Sequence, residues 1–168
     1  LQSEQYAIYL RKSREDRELE KHGEGETLAR HEKTLVELAK KMGLPIGEIY
    51  REVVSGETIE ERDEMKRLLK DVESRKWAGV LVMEVERLAR GDTGDQGIVS
   101  VAFKYSSTKI ITPMKVYDPN NEYDEGTYIA QQIEHLRREE YYKYSDFAIL
   151  YRMNTQSRAI EEILRRES

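Results

Sequence analysis

Cysteine is absent from this 168-residue chain, so disulfides and thiol chemistry are excluded. No apolar run approaches the roughly 20 residues that a membrane span needs, and no membrane partner is expected. Leu1-Gln2-Ser3-Glu4-Gln5 shows no basic stretch leading into an apolar one, which predicts no secretory signal and a cytoplasmic location. Positive charge is not in surplus either, the formal net charge being −5. Residues 126–168 hold seven basic and seven acidic side chains, so the excess acid lies in residues 1–125. Tight duplex binding by bulk electrostatics needs a basic surface. A local arginine cluster can still grip one phosphate, but most of any nucleic-acid affinity must come from outside this chain. Internal repeats and low-complexity tracts are also missing.

What is present is 36% charged and 38% hydrophobic, the balance of a globular domain with long charged helix faces. The length suffices for one domain with a real core, with room for an appendage. Tyr6-Ala7-Ile8-Tyr9-Leu10 predicts a first strand that delivers Arg11, Lys12 and Ser13 at its end. Arg14 to Gly25 is polar and punctuated by glycine, and predicts a surface loop. Thr27 is placed to cap a helix carrying Leu28, Leu35, Leu38 and Met42, which Gly43 stops. Ile46, Ile49, Val53 and Val54 mark a second strand, followed by a turn at Ser55-Gly56. Met65, Leu68, Leu69 and Val72 share one face of a helix from about Glu61 to Ser74. A third strand is predicted over roughly 79–85, a helix around Ile98 to Phe103, and a short strand over Lys109–Thr112. Such alternation implies right-handed βαβ crossovers. The predicted fold is α/β, a mostly parallel four- to five-stranded sheet flanked by helices. Past the turn signal Asp118-Pro119-Asn120-Asn121, the pattern predicts a helix ending near Arg138, a strand over Phe147–Tyr151 and a last helix carrying Ile160 and Ile163. A domain boundary is expected near residue 125.

In an open α/β sheet, ligands collect outside the carboxyl ends of the strands. Two predicted strand ends here carry arginines: Arg11 with Ser13 on the first, and Glu86-Arg87-Leu88-Ala89-Arg90 after the third. Arg62 stands near the start of a helix on the way to the same edge. A serine hydroxyl must lose its proton to act as a nucleophile. Phosphoryl transfer also builds negative charge on non-bridging oxygens, which a planar, permanently charged guanidinium fork stabilises well. Glu86 could orient an arginine or accept a proton. Singly, each feature has a plain reading: Ser13 as a cap or turn, Glu86 to Arg90 as an amphipathic turn, Arg62 as a surface residue. Their joint occurrence favours a phosphate site.

Tyr9-x-Arg11-x-Ser13, Ser55-Gly56 followed by Glu61-Arg62, and Glu86-Arg87-Leu88-Ala89-Arg90 together resemble the catalytic domain of serine recombinases. The likeness covers about residues 5–125 and is strongest to the large integrases of conjugative transposons and phages. It implies a resolvase-like, flavodoxin-like topology. It further implies that Ser13 forms a 5′-phosphoserine link to double-stranded DNA and releases a 3′ hydroxyl, in the integration or excision of a mobile element. Arg11, Arg62, Arg87 and Arg90 would surround the scissile phosphate, with Glu86 where many members carry aspartate and His31 where a glutamine is frequent. Neither a metal nor a cofactor is implied. The family works as dimers that synapse into tetramers and uses additional DNA-binding domains. This chain alone is therefore expected to be inactive.

Residues from about 126 resemble something else. Tyr144 to Arg158 looks like a motif region of UvrD/Rep-type DNA helicases, in which Tyr151 and Arg152 would meet a nucleotide. The phosphate loop Gly-x4-Gly-Lys-Ser/Thr occurs nowhere in the chain, which excludes ATP hydrolysis by this chain alone. The tail is thus read as helix–strand–helix, either a genuine fusion or a composite segment. The alternative to a recombinase is a non-catalytic or helicase-like nucleotide-binding accessory fragment.

Overall fold

A computed structural model describes residues 4–12, 27–52, 59–88, 93–150 and 154–167. The chain forms two compact units in succession, Leu1–Val116 and Tyr117–Ser168. The division falls ahead of the expected boundary near residue 125, which lies inside a helix.

The first unit runs β1 (Tyr6–Arg11), α1 (Thr27–Met42), β2 (Ile46–Glu52), α2 (Asp63–Glu73), β3 (Gly79–Leu81), α3 (Thr93–Ser106) and β4 (Lys109–Ile111). β5 (Val116–Tyr117) completes a five-stranded sheet of order β2-β1-β3-β4-β5. β1 pairs in parallel with both β2 and β3, and β3 in parallel with β4. The short link from β4 to β5 is a turn organised by Thr112, whose hydroxyl donates to the Lys115 carbonyl at 3.0 Å. It is too short for a parallel crossover.

Period-two alternation along β1 sorts its side chains into two layers. Ala7 and Tyr9 join Met65, Leu68 and Val72 of α2 and Phe103 of α3 in one core. Ile8 and Leu10 face the other way, against Leu35 and Ala39 of α1. Both faces of the central strand are buried, which explains its unbroken apolar run.

Gly43 ends α1 as the sequence predicts. Its φ is +67°, its N–H donates to Lys40 at 3.2 Å, and that of Leu44 donates to Ala39 at 2.9 Å, the paired bonds of a left-handed helix stop. At the start of β2 the pairing slips: Tyr6 lies opposite Ile46 and Ala7 opposite Glu48, leaving Gly47 as a bulge. A Cβ on Gly47 would come within 2.6 Å of the Trp77 ring.

Two elements are shorter than predicted. β3 stops at Leu81 rather than near residue 85, because Val82 makes one more bond to the Ile111 carbonyl (2.9 Å) and the chain then turns. Val85–Arg87 form a 3-10 turn there. α2 begins at Asp63, since Ile59–Glu61 form a separate 3-10 turn and Arg62, with φ −114° and ψ 84°, interrupts the helix as its N-cap. Val53, Val54, Ser55, Gly56 and the predicted loop from Arg14 to Gly25 lie outside the described residues.

In the second unit, the Tyr117 hydroxyl donates to Gln131 at 2.8 Å, and the Asp118–Asn121 turn closes with a 3.0 Å backbone bond. Helix α4 (Glu122–Glu140) packs on α5 (Asn154–Glu167). The predicted strand over Phe147–Tyr151 is not formed over its described part, residues 147–150. Phe147 and Ile149 are half-buried while Ala148 and Leu150 are exposed, so the strand-like alternation is real. No neighbouring strand among the described residues supplies the ladder bonds that a strand requires. No described helix is long and apolar enough to cross a membrane.

Candidate active site at the carboxyl edge of the sheet

The strand order reverses between β1 and β3, so the connections leave the sheet on opposite sides and open a crevice at the carboxyl ends. Arg11 is the last residue of β1 and shares the face of Tyr9. It is only 7% exposed. The turn after β3 brings Arg87 alongside, its Nη1 donating to the Arg11 carbonyl at 3.2 Å. Arg87 Nε lies 3.6 Å from a Glu84 carboxylate oxygen. Glu86 is half-buried in the same turn, and His31 is half-buried on α1.

Arg62 is not the surface residue that its sequence position suggests when read alone. It is wholly buried. Its Nη2 lies 2.8 Å from the Tyr9 hydroxyl, 2.9 Å from the Arg87 carbonyl and 3.0 Å from that of Leu88. One corner of the fork therefore ties the end of β1 to the turn after β3. Nε and Nη1 are buried with no hydrogen-bond partner among the described residues. An unsatisfied buried guanidinium is costly, and an anion that reached those N–H groups would relieve the cost. Burial pushes the Tyr9 phenol pKa upward, opposed by the neighbouring Arg62 charge. Tyr9 thus stays a neutral acceptor for Arg62.

Two further residues of this edge escape the sequence reading. Glu52, the only buried carboxylate among the described residues, is 1% exposed and pairs in register with Arg11. Its Oε2 accepts the Met65 N–H at 3.0 Å, in the first turn of α2. Asp95, in the first turn of α3, accepts the Ile59 N–H at 2.8 Å and holds the turn that precedes Arg62. The signal for Glu52 is an acidic residue ending a strand beside one that ends in arginine. Asp95 has no such signal.

The structure therefore brings together Arg11, Arg62 and Arg87, with Glu86 in the Arg87 turn. Ser13 and Arg90 lie outside the described residues. Among the described residues no group of three His, Asp or Glu side chains is placed to hold a metal ion.

The family model for the resolvase N-terminal domain matches residues 6–141, well over half the chain. The chain belongs to the resolvase family. Solved structures agree on the fold of this resolvase domain. The N-terminal catalytic domain of TP901-1 integrase aligns with a TM-score of 0.58 at 24% identity, covering 82% of this chain and 99% of that one. A resolvase family site-specific recombinase from Streptococcus pneumoniae aligns with a TM-score of 0.55 at 16% identity, covering 96% and 97%. The C-terminal catalytic domain of ISC1926 TnpA, an IS607-like serine recombinase, aligns with a TM-score of 0.51 at 18% identity and covers 96% of each chain. A 48-residue stretch is 50% identical to the ATP-dependent DNA helicases PcrA of Leuconostoc citreum and Bacillus subtilis (strain 168). That stretch is 29% of this chain and only 6% of each helicase.

Proposed function

We propose that this resolvase domain is the catalytic part of a site-specific DNA recombinase, with Ser13 as nucleophile. The observation that carries the reading is Arg62, whose buried fork has N–H groups with no partner among the described residues, at the sheet edge where Arg11 and Arg87 converge. In the proposed step, Ser13 Oγ bonds to phosphorus as the bond from phosphorus to O3′ breaks. The serine proton leaves Oγ and a proton reaches O3′, so one strand ends in a 3′ hydroxyl and the other in a 5′-phosphoserine. Rejoining reverses the step with a different 3′ hydroxyl, and the phosphodiester energy is conserved in the covalent link. Arg11, Arg62, Arg87 and Arg90 would surround the scissile phosphate and bind its non-bridging oxygens, Arg62 also tying the strand ends together, and Glu86 would orient an arginine or take up a proton. The domain would act in the cytoplasm, in the integration or excision of a mobile element. It would work as a dimer within a synaptic tetramer, with residues 1–125 as the catalytic part.

The test is covalent adduct formation between protein and DNA on a cognate site, in a recombinase carrying this domain with its DNA-binding part. Ser13→Ala is expected to abolish the adduct and leave DNA binding intact. Adducts that persist in that variant would remove Ser13 from the mechanism.

Residues 126–168 have a narrower reading, as a helix pair that contributes structure and not ATP turnover, because the phosphate loop Gly-x4-Gly-Lys-Ser/Thr occurs nowhere in this sequence. Titration with an ATP analogue checks it: no saturable binding is expected at micromolar concentrations.

A further inference from the structure

The face of the sheet that packs on α1 is left partly uncovered at the amino ends of the strands. Ile8, Leu81 and Ile111 fill that face beneath Leu35 and Ala39. One row nearer the amino ends, the register sets Tyr6 beside Gly79 and Gly79 beside Lys109. Gly79 supplies no side chain to this row. The Tyr6 ring lies against it instead, so that a Cβ there would fall 3.0 Å from two ring carbons. α1 ends here at the left-handed stop of Gly43, and α3 ends in a stop of the same kind. Ser107 has φ +56°, its N–H donates to Lys104 at 3.2 Å, and that of Thr108 donates to Phe103 at 3.0 Å. The space that remains is a cavity of about 650 Å³, lined by Glu4, Tyr6, Leu44, Pro45, Ser107 and Lys109 among others. That volume lies within the range of small-ligand sites.

The polar side chains around this cavity are ones that the fold leaves idle. Among the described residues, the Glu4 carboxylate, the Tyr6 and Ser107 hydroxyls and the Lys109 ammonium make no hydrogen bond or ion pair. Lys76 of the same unit, by contrast, is bound to both Asp71 (2.9 Å) and Glu48 (3.1 Å). Glu4 and Lys109 enter the cavity from well-separated points. Lys109 is two strands from Tyr6, about 10 Å away, and Glu4 stands two residues upstream of Tyr6, about 7 Å along an extended chain. The cavity therefore holds opposite charges apart, with two hydroxyls and an apolar floor of the Tyr6 ring, Leu44 and Pro45. Its complement is a zwitterion whose own charges are separated, and a dipeptide spans about 7 Å.

We propose that this cavity binds a small zwitterion of dipeptide size. The ligand's ammonium group lies on Glu4, its carboxylate on Lys109 and Ser107, and an apolar side chain over the Tyr6 ring. The site is at the amino ends of the strands, away from the arginine cluster, and it does not rest on the recombinase reading.

The probe is glycyl-leucine, titrated into this chain and followed by nuclear magnetic resonance at the backbone amides of Gly43, Ala78 and Ser107. Their signals should shift together and saturate with a Kd of about 1 mM or tighter, while those of Arg11 and Arg87 stay in place. Glu4 and Lys109 are exposed, so Glu4→Gln and Lys109→Gln should fold as the parent does. Each should weaken binding about two- to fivefold, the range for an exposed ion pair. Probes with one end blocked test the parent chain directly. N-acetylation should weaken binding as much as Glu4→Gln does, and should cost nothing further in that variant. C-amidation should stand in the same relation to Lys109→Gln. Shifts that do not saturate overturn the proposal, and so does parent-like binding in either variant. An amidated probe that binds as tightly as the free dipeptide would make this a cation site and overturn the zwitterion. Each of these results stands whether or not Ser13→Ala retains adducts.

Discussion

The two units differ in how they treat polar groups. In Leu1–Val116, charged side chains are drawn into the interior and bonded across elements: Arg62 to two carbonyls and a phenol, Glu52 to a helix N–H. In Tyr117–Ser168 no described ion pair or carboxylate is fully buried, although Gln132 and the Arg137 Nε are. Arg137 stacks 3.6 Å over the Tyr144 ring, Glu134 bridges to Arg137 at 2.7 Å, and Tyr144 is half exposed. Leu150 is 95% exposed at the end of an extended segment without a ladder. The first unit accepts the cost of buried charge, the pattern expected of a site kept ready for an anion. The second shows helices that pack and a strand-like segment that lacks a sheet.

The largest expected effect falls on chemistry in the first unit alone. Arg87→Ala should slow strand cleavage by about 10²–10³-fold, as for loss of one charge-stabilising donor. Single-turnover cleavage on a cognate site measures it, and an unchanged rate would remove Arg87 from the phosphate site.

Next come two core truncations, one in each unit. Leu68→Ala and Ile163→Ala each remove a buried aliphatic side chain and should each cost about 2–5 kcal/mol. The single tryptophan, Trp77, lies in the first unit, so its fluorescence reports that unit. Leu68→Ala should lower the Trp77 unfolding midpoint. Ile163→Ala should lower helical circular dichroism at temperatures where Trp77 is still native. If both variants shifted the Trp77 midpoint equally, the two units would be one cooperative structure.

A smaller effect is expected at Gly47. An alanine methyl there meets the Trp77 ring and Gln5, and overpacking of this kind costs about 1–3 kcal/mol. The Trp77 midpoint in denaturant should fall accordingly.

The smallest concerns acid. Burial raises the Asp71 pKa, but hydrogen bonds from Tyr50 and Lys76 outweigh it and the net shift is downward. A carboxyl depressed in the folded state contributes stability above its unfolded value, near 3.9, and loses it as pH falls through the lower folded value. Asp71→Asn should therefore flatten the acid limb of the first unit by about 1 kcal/mol or less. Glu134 in the second unit is depressed through Tyr144 and Arg137, and salt should weaken its effect because it is partly exposed. An acid limb that disappeared in salt for both units would end this distinction.

Much of the fold was legible because its cues are local. The apolar run of β1, the helical spacing of Met65, Leu68, Leu69 and Val72, and Gly43 as a helix stop all appear where the sequence places them. The arginine cluster was legible in part, since Arg11 and Arg87 end segments that point to one edge. The burial of Arg62 was not, because it depends on the Tyr9 hydroxyl and two carbonyls that only the folded sheet brings near. Glu52 was missed for the same reason. The 147–150 segment was misread because alternation reports a strand's side chains, not whether a neighbour exists to pair with it.

Gly47 has a consequence for phase. Without the bulge, the pairing that starts at Tyr6 and Ile46 would run on evenly and set Arg51 beside Arg11. The extra residue advances β2 by one step, so that a carboxylate meets the arginine instead of a second cation. Straightening the strand with Gly47 kept in the ladder would thus swap attraction for repulsion at the site, whereas deleting Gly47 would leave Glu52 opposite Arg11. The sheet spells its charges correctly only because it skips a letter.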